Sequence, residues 1–149
     1  MISPGDAALL ASIRAHEGRR TVVYDDANGE PLKPGDTLQG KATIGYGTNL
    51  HVPMSESSIT GLLRERTVDA FGIAIAYPYF STLSEDRQRV LTEMAYQLGA
   101  GGFRSFRRMH AALQTGRYDD AADEMLDSKW AQSDSPERAH TLSERMRKG

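Results

Sequence analysis

Cysteine is absent from all 149 residues, which removes disulfide scaffolds, thiolate metal sites and cysteine nucleophiles in one step. Long apolar runs are absent too. The longest uncharged one, residues 70–80, is interrupted by Pro78 and falls far short of the ~20 residues of a membrane-spanning helix. No charge of one sign dominates: 18 basic against 20 acidic residues leave a net charge of −2, and the pI of 6.1 gives no global reason to expect nucleic acid. Fourteen glycines and six prolines are too few for a low-complexity chain. What remains is an ordinary globular composition, 39% hydrophobic, long enough to bury a core unaided. One folding unit of two lobes is expected, with no internal repeat and no linker.

The pattern that is present is mostly helical. Ser3 reads as an N-cap with Pro4 at the first helical position and Asp6 in the first turn; Leu9, Leu10 and Ile13 form an apolar stripe, and Gly18 is a natural stop. The period then changes. Thr21-Val22-Val23-Tyr24 reads as a strand, residues 25–41 as turn and loop chemistry, and Ala42-Thr43-Ile44-Gly45-Tyr46-Gly47 as a returning strand. From Ser55 onward the helical period holds. Ile59, Leu62, Leu63, Ala70, Phe71 and Ala74 fit one face of a long helix. Ser84 caps the next helix, whose buried stripe is Val90, Leu91, Met94, Ala95 and Leu98, with Gly99 as its end. A helix carrying Phe103, Phe106 and Leu113 stops near Gly116, a short one covers residues 121–126, and Pro136 opens the last, with Ala139, Leu142 and Met146 facing in. The fold class expected is α+β and mainly helical.

One constellation carries chemistry. Glu17 ends a helix that leads into the hairpin, where a carboxyl facing the negative end of the dipole suits a proton donor. Asp26 follows after eight residues, and Thr43 lies on the returning strand beside glycines that let a ligand approach the backbone. Two carboxyls in unlike surroundings are what glycoside hydrolysis requires, and a threonine hydroxyl can hold a water. Spacing alone leaves the alternative open that Glu17 and Asp26 are two solvated surface charges.

The string H-E-G-R-R-T-V-V-Y-D-D followed by A-T-I-G-Y-G resembles the phage-type lysozymes, the endolysin muramidases of glycoside hydrolase family 24, and so do V-L-T-E-M-A-Y-Q-L-G, R-Y-D-D-A-A-D-E-M-L-D-S-K-W and S-P-E-R-A further on. The resemblance implies a single two-lobed domain: a catalytic lobe over residues 1–54, a connecting helix over 55–78 and a helical lobe over 79–149. It implies cleavage of the β-1,4 bond between N-acetylmuramic acid and N-acetylglucosamine with inversion. Glu17 would be the general acid and Asp26 the second carboxylate, with Thr43 positioning the attacking water. It also implies substrate contacts from Gly47, Asn49, Tyr96, Gln97, Met109, Glu124, Trp130 and Arg138, the last matching an arginine close to the family's catalytic glutamate.

Asp25, by its spacing, would then be a solvated turn residue. Sixteen residues rather than five separate Asp26 from Thr43, so the hairpin carries an insertion, roughly 30–41, expected as a surface loop at its tip. Thr48-Asn49 stands where the family often has histidine, and Met109 and Glu124 replace two of its sugar contacts.

No cofactor or metal is expected, since His16, His51, His110 and His140 show no ligand spacing. The expected partner is the glycan strand of peptidoglycan, with neither nucleic acid nor stable membrane insertion, and the chain is expected to be a monomer. The N-terminus has no basic stretch and meets Asp6 early, so synthesis in a bacterial cytoplasm without a secretion signal, and action on the wall after release or delivery, are expected. Arg104, Arg107, Arg108 and Arg117 form a local cationic run that reads either as a solvated face or as attraction to the anionic wall. Two further readings are a muramidase delivered as an effector or on a phage tail, and a catalytically dead wall-binding module.

Overall fold

The computed structural model describes Ser3 and residues 6–149, and the chain divides into two units, Met1–Ile59 and Thr60–Gly149. In the first, Asp6 rather than Ser3 caps α1 (Ala7–Glu17): its carboxylate accepts the Leu9 amide at 2.9 Å. A carboxylate there satisfies an orphan amide and meets the positive end of the helix dipole, which explains its precedence over Ser3. Ser3 instead supplies the carbonyl that accepts the Asp6 amide at 3.0 Å, and Pro4 lies outside the described residues. Gly18, at φ +67°, stops the helix. The stripe expected to be buried is not: α1 buries no residue, and Leu9 and Ile13 stay exposed.

Three antiparallel strands follow in the order β1 (Arg20–Asp25), β2 (Ala42–Gly45) and β3 (Thr48–Asn49). The returning strand does not run through Gly47 as expected. Gly45 and Gly47 adopt φ of +69° and +81°, which side-chain-bearing residues resist, and the chain turns there into β3. Tyr24 pairs with Thr43 and Thr43 with Asn49, so Thr43 sits on the central strand.

Residues 30–41 lie at the surface, as expected, but not as a free tip. The Glu30 carbonyl accepts the Asp25 amide at 3.0 Å, and the Leu32 amide donates to the Val23 carbonyl at 2.9 Å, so the segment first runs back along β1.

The helices are α2 (Glu56–Ile75), α3 (Glu85–Ser105), α4 (Arg107–Gln114), α5 (Tyr118–Leu126) and α6 (Pro136–Lys148). The face expected for α2 is only partly buried: Ala70 and Ala74 are inside, whereas Ile59, Leu62, Leu63 and Phe71 are exposed. On α3 the expectation fares better. Ser84 accepts the Arg87 amide, and Val90, Leu91, Met94 and Ala95 are buried. Gly99, at φ +64° and ψ 176°, ends the first helical stretch of α3 as expected, and a second stretch beyond the kink carries Phe103 into the core.

That core is completed by Met109, Ala112 and Leu113 of α4, Ala121, Ala122 and Met125 of α5, and Ala139, Leu142 and Met146 of α6. Burying side chains of this size contributes roughly 1.5–3 kcal/mol each for the larger ones. The Arg87 guanidinium closes α6, donating to the carbonyls of Met146 (2.8 Å) and Arg147 (2.9 Å) while stacking on Tyr118 at 3.6 Å. Helices outweigh the small sheet, which makes the chain α+β and mainly helical. No helix among the described residues is long and apolar enough to cross a membrane.

Candidate active site

The first unit gathers Glu17, Asp26, Thr43 and Gly47 around one sheet. Glu17 is the last residue of α1 and is exposed. Its carboxylate reaches the β2–β3 turn, where a Cβ added to Gly47 would lie 3.0 Å from Glu17 Oε2. A residue with a side chain at 47 would therefore press on the acid as well as strain the backbone.

Asp26 and Thr43 meet at the end of the β1–β2 pair. The Asp26 amide donates to the Lys41 carbonyl at 3.1 Å, and the Lys41 amide returns a bond to Asp26 Oδ1 at 2.6 Å. Thr43, almost wholly buried, gives its hydroxyl proton to the same Lys41 carbonyl at 3.1 Å. With that proton committed, the Thr43 oxygen keeps lone pairs and can accept a further hydrogen bond. Asn49, paired with Thr43 across β2–β3, is half-buried, and its side-chain oxygen accepts the His51 amide at 2.9 Å.

Asp25 is not the solvated turn residue expected. It is 2% exposed, and its carboxylate accepts the amides of Gln39 (2.6 Å), Gly40 (2.8 Å) and Ala27 (3.0 Å). These amides, Gln39 first, hold its carboxyl below the usual carboxylate range. The far end of the insertion is thus clamped onto β1, and Gly40 is where it passes closest: a Cβ there would collide with the carboxylates of Asp26 and Asp25 and stand 2.9 Å from Ala27.

The second unit holds the remaining candidates. Tyr96 is exposed at 44% and lines a cleft of about 600 Å³ with Leu63, Phe71, Thr92, Glu93 and Arg138. Arg138 faces Glu93, Nε to Oε1, at 3.6 Å. Gln97 lines a neighbouring recess of about 620 Å³ with Glu93, Ser135, Arg138 and Thr141. Trp130, expected to contact substrate, is 3% exposed: its indole N–H donates to Gln97 Oε1 at 3.0 Å, and Phe106 packs edge-on against the ring. It offers a sugar no face and holds the Gln97 side chain instead.

Met109 has no accessible surface, because α4 turns it into the core, so it can serve only as packing beneath a recess of about 340 Å³. Glu124 lines the same recess with a partly exposed side chain, 3.8 Å from Arg108.

The cationic run is less cationic than its sequence. Arg108 lies within 4.0 Å of both Glu124 and Asp127, and Arg117 pairs with Asp120 at 2.9 Å. His110, one of the four histidines without ligand spacing, is a buried core group. Its Nε2–H donates to the Phe103 carbonyl at 2.8 Å, Tyr79 donates to Nδ1 at 2.5 Å, and burial lowers its pKa. Among the described residues no cluster of three or more side chains is placed to hold a metal.

Local spacing missed Asp25, Gly40 and Ser135. The partners of the first two lie 14 to 15 residues away in the chain, and Ser135 looks like a helix cap before a proline. A comparison with protein-family models matches residues 14–148 to the phage lysozyme family. No curated protein matches the chain.

Proposed function

From the premise that the chain belongs to the phage lysozyme family, and so to the hydrolases of peptidoglycan, we propose that it cleaves the β-1,4 bond between N-acetylmuramic acid and N-acetylglucosamine with inversion. Glu17 is the general acid that protonates the glycosidic oxygen; Asp26 and Thr43 hold the water that attacks from the opposite side. The observation that carries this reading is that Lys41 holds both groups across the insertion: its amide donates to the Asp26 carboxylate at 2.6 Å, and its carbonyl accepts the Thr43 hydroxyl at 3.1 Å, leaving that hydroxyl a lone pair to offer. Gly47 leaves room for the Glu17 carboxylate. Asn49, Tyr96, Gln97, Glu124 and Arg138 supply contacts to the glycan, and Trp130 supports Gln97 from within the core. The protein acts as a monomer on the wall after release or delivery, without a cofactor.

The test is clearance of permeabilised Gram-negative cells by wild type and by Glu17→Gln. Removing a general acid costs ~10²–10⁴-fold. A Glu17→Gln variant that clears walls at the wild-type rate ends the assignment, and a β-anomeric first product by NMR ends inversion. Wild type that binds walls without releasing reducing sugar would favour the wall-binding alternative.

A further inference from the structure

Ser135 stands at the N-cap of α6, directly before Pro136, where a serine hydroxyl ordinarily accepts an amide of the first helical turn. It makes no such bond. Its Oγ instead accepts from Nε2 of Gln97, 38 residues away. The other end of the same amide is fixed by Trp130, whose Nε1–H points at Gln97 Oε1 at 3.0 Å. An indole N–H can only donate, so the amide has one chemically consistent orientation, oxygen toward Trp130 and nitrogen toward Ser135. Nε2 carries two protons. Ser135 takes one, and the second is left for an acceptor in the recess that Gln97, Ser135, Glu93 and Thr141 line.

We propose that Ser135 is a positioning residue for substrate recognition: it forgoes capping α6 in order to lock Gln97, so that one amide N–H is held ready for a carbonyl oxygen such as that of a sugar acetamido group. The role rests on the reading of Gln97 as a glycan contact. Held at both ends, the amide has lost its last side-chain torsion before substrate arrives, and that entropy is not lost again on binding. Held only by Trp130, it can swing about the Oε1 contact and the donor loses its direction.

Trp130 is the only tryptophan in the chain, so its indole N–H gives a single NMR resonance that reports on Gln97 Oε1. In Ser135→Ala that resonance is expected to shift and broaden, and KM for soluble peptidoglycan fragments to rise about tenfold with kcat nearly unchanged. Ser135→Thr, which keeps the hydroxyl, is expected to restore both. In a Gln97→Ala background Ser135→Ala should add nothing further, because the two act as one unit. An unmoved indole resonance overturns the proposal. So does a wild-type KM in Ser135→Ala, a loss of equal size with and without Gln97, or a lowered Tm with unchanged kinetics. Wild type that releases no reducing sugar would overturn the muramidase reading instead, and the indole resonance would still decide whether Ser135 fixes Gln97.

Discussion

The Asp26 amide and the Thr43 hydroxyl donate to one carbonyl oxygen, that of Lys41, each at 3.1 Å. Sixteen residues lie between the two in the chain, yet the β1–β2 register sets Tyr24 opposite Thr43 and Asp25 opposite Ala42, which brings Asp26 to the same corner. Thr43→Val keeps the branched shape and removes the hydroxyl. We expect it to cost about 1 kcal/mol in stability, the net worth of a hydrogen bond, and about 10²-fold in wall clearance through a misplaced water. Thr43→Ser is expected to retain most activity. Equal clearance by Thr43→Val and wild type would remove Thr43 from the reaction.

Gly47 and Gly45 provide an internal control for the Glu17 environment. Both have positive φ, but a Cβ at 45 meets nothing within 4 Å, whereas one at 47 meets Glu17 Oε2 at 3.0 Å. Gly45→Ala should show backbone strain alone, about 1 kcal/mol. Gly47→Ala should show that strain and, if Glu17 is the acid proposed, also lose activity, since its carboxylate must move. If the two variants lose activity equally, the contact with Glu17 has no part in the chemistry.

His110 gives the core a pH dependence of definite sign. Burial lowers its pKa from the ordinary 6.5, so the unfolded chain takes up the proton first as pH falls. Stability from the neutral imidazole is therefore complete above about pH 6.5 and is lost as pH falls toward the lowered value. Tyr79 and the Phe103 carbonyl both lean on the ring, so His110→Phe leaves a hydroxyl and a carbonyl unpaired, a cost of about 1–3 kcal/mol at pH 7. Denaturant melts from pH 7 to 5 should show wild type weakening and His110→Phe weakening less. Parallel slopes would remove His110 from the pH dependence.

Asp25 acts in a lower window. Three amides hold its carboxyl below the ordinary 3.8, so its contribution is present above that pH and is lost as pH falls through the lowered value. Asp25→Asn should melt lower than wild type at pH 6, and the gap should close as pH drops below 4. Asp26→Asn, at an exposed carboxylate with one amide partner, should be much the milder change in stability and the greater in activity. Reversed effects would exchange the two residues' roles.

Much of this molecule was legible from local sequence because local rules govern those parts. Ser84 caps, Gly18 stops, Pro136 opens a helix, and the α3 stripe from Val90 to Ala95 is buried as its period requires. The same period misled for α2, where helical spacing identifies an apolar face but not which stretch meets a partner: Ala70 and Ala74 are covered, Leu62 and Leu63 are not. β3 has two residues, too few to show a period. Asp25 and Ser135 escaped for another reason. Each has a plausible local role, turn or cap, that the fold replaces with a partner far along the chain.

The insertion separates these local and long-range effects most sharply. Exposure, proline and glycine suggest a loop that a short Asn-Gly turn could replace at little cost. The hydrogen bonds argue otherwise for part of it. Among the described residues Lys33 and Asp36 bond only each other, amide to carboxylate at 2.7 Å and amide to carbonyl at 3.1 Å, forming a self-contained turn. Gln39 and Gly40, by contrast, supply two of the three amides on buried Asp25, and Lys41 carries the carbonyl shared by Asp26 and Thr43. Deleting 33–37 should therefore change Tm by no more than about 2 °C and leave wall clearance near wild type, while replacing 30–41 should lower Tm by more than about 5 °C and abolish clearance. Thermal melts and turbidity on the two variants decide it. Equal tolerance of both deletions would mean that the Asp25 clamp holds the loop in place without supporting the sheet, and that the Asp26–Thr43 corner forms without Lys41.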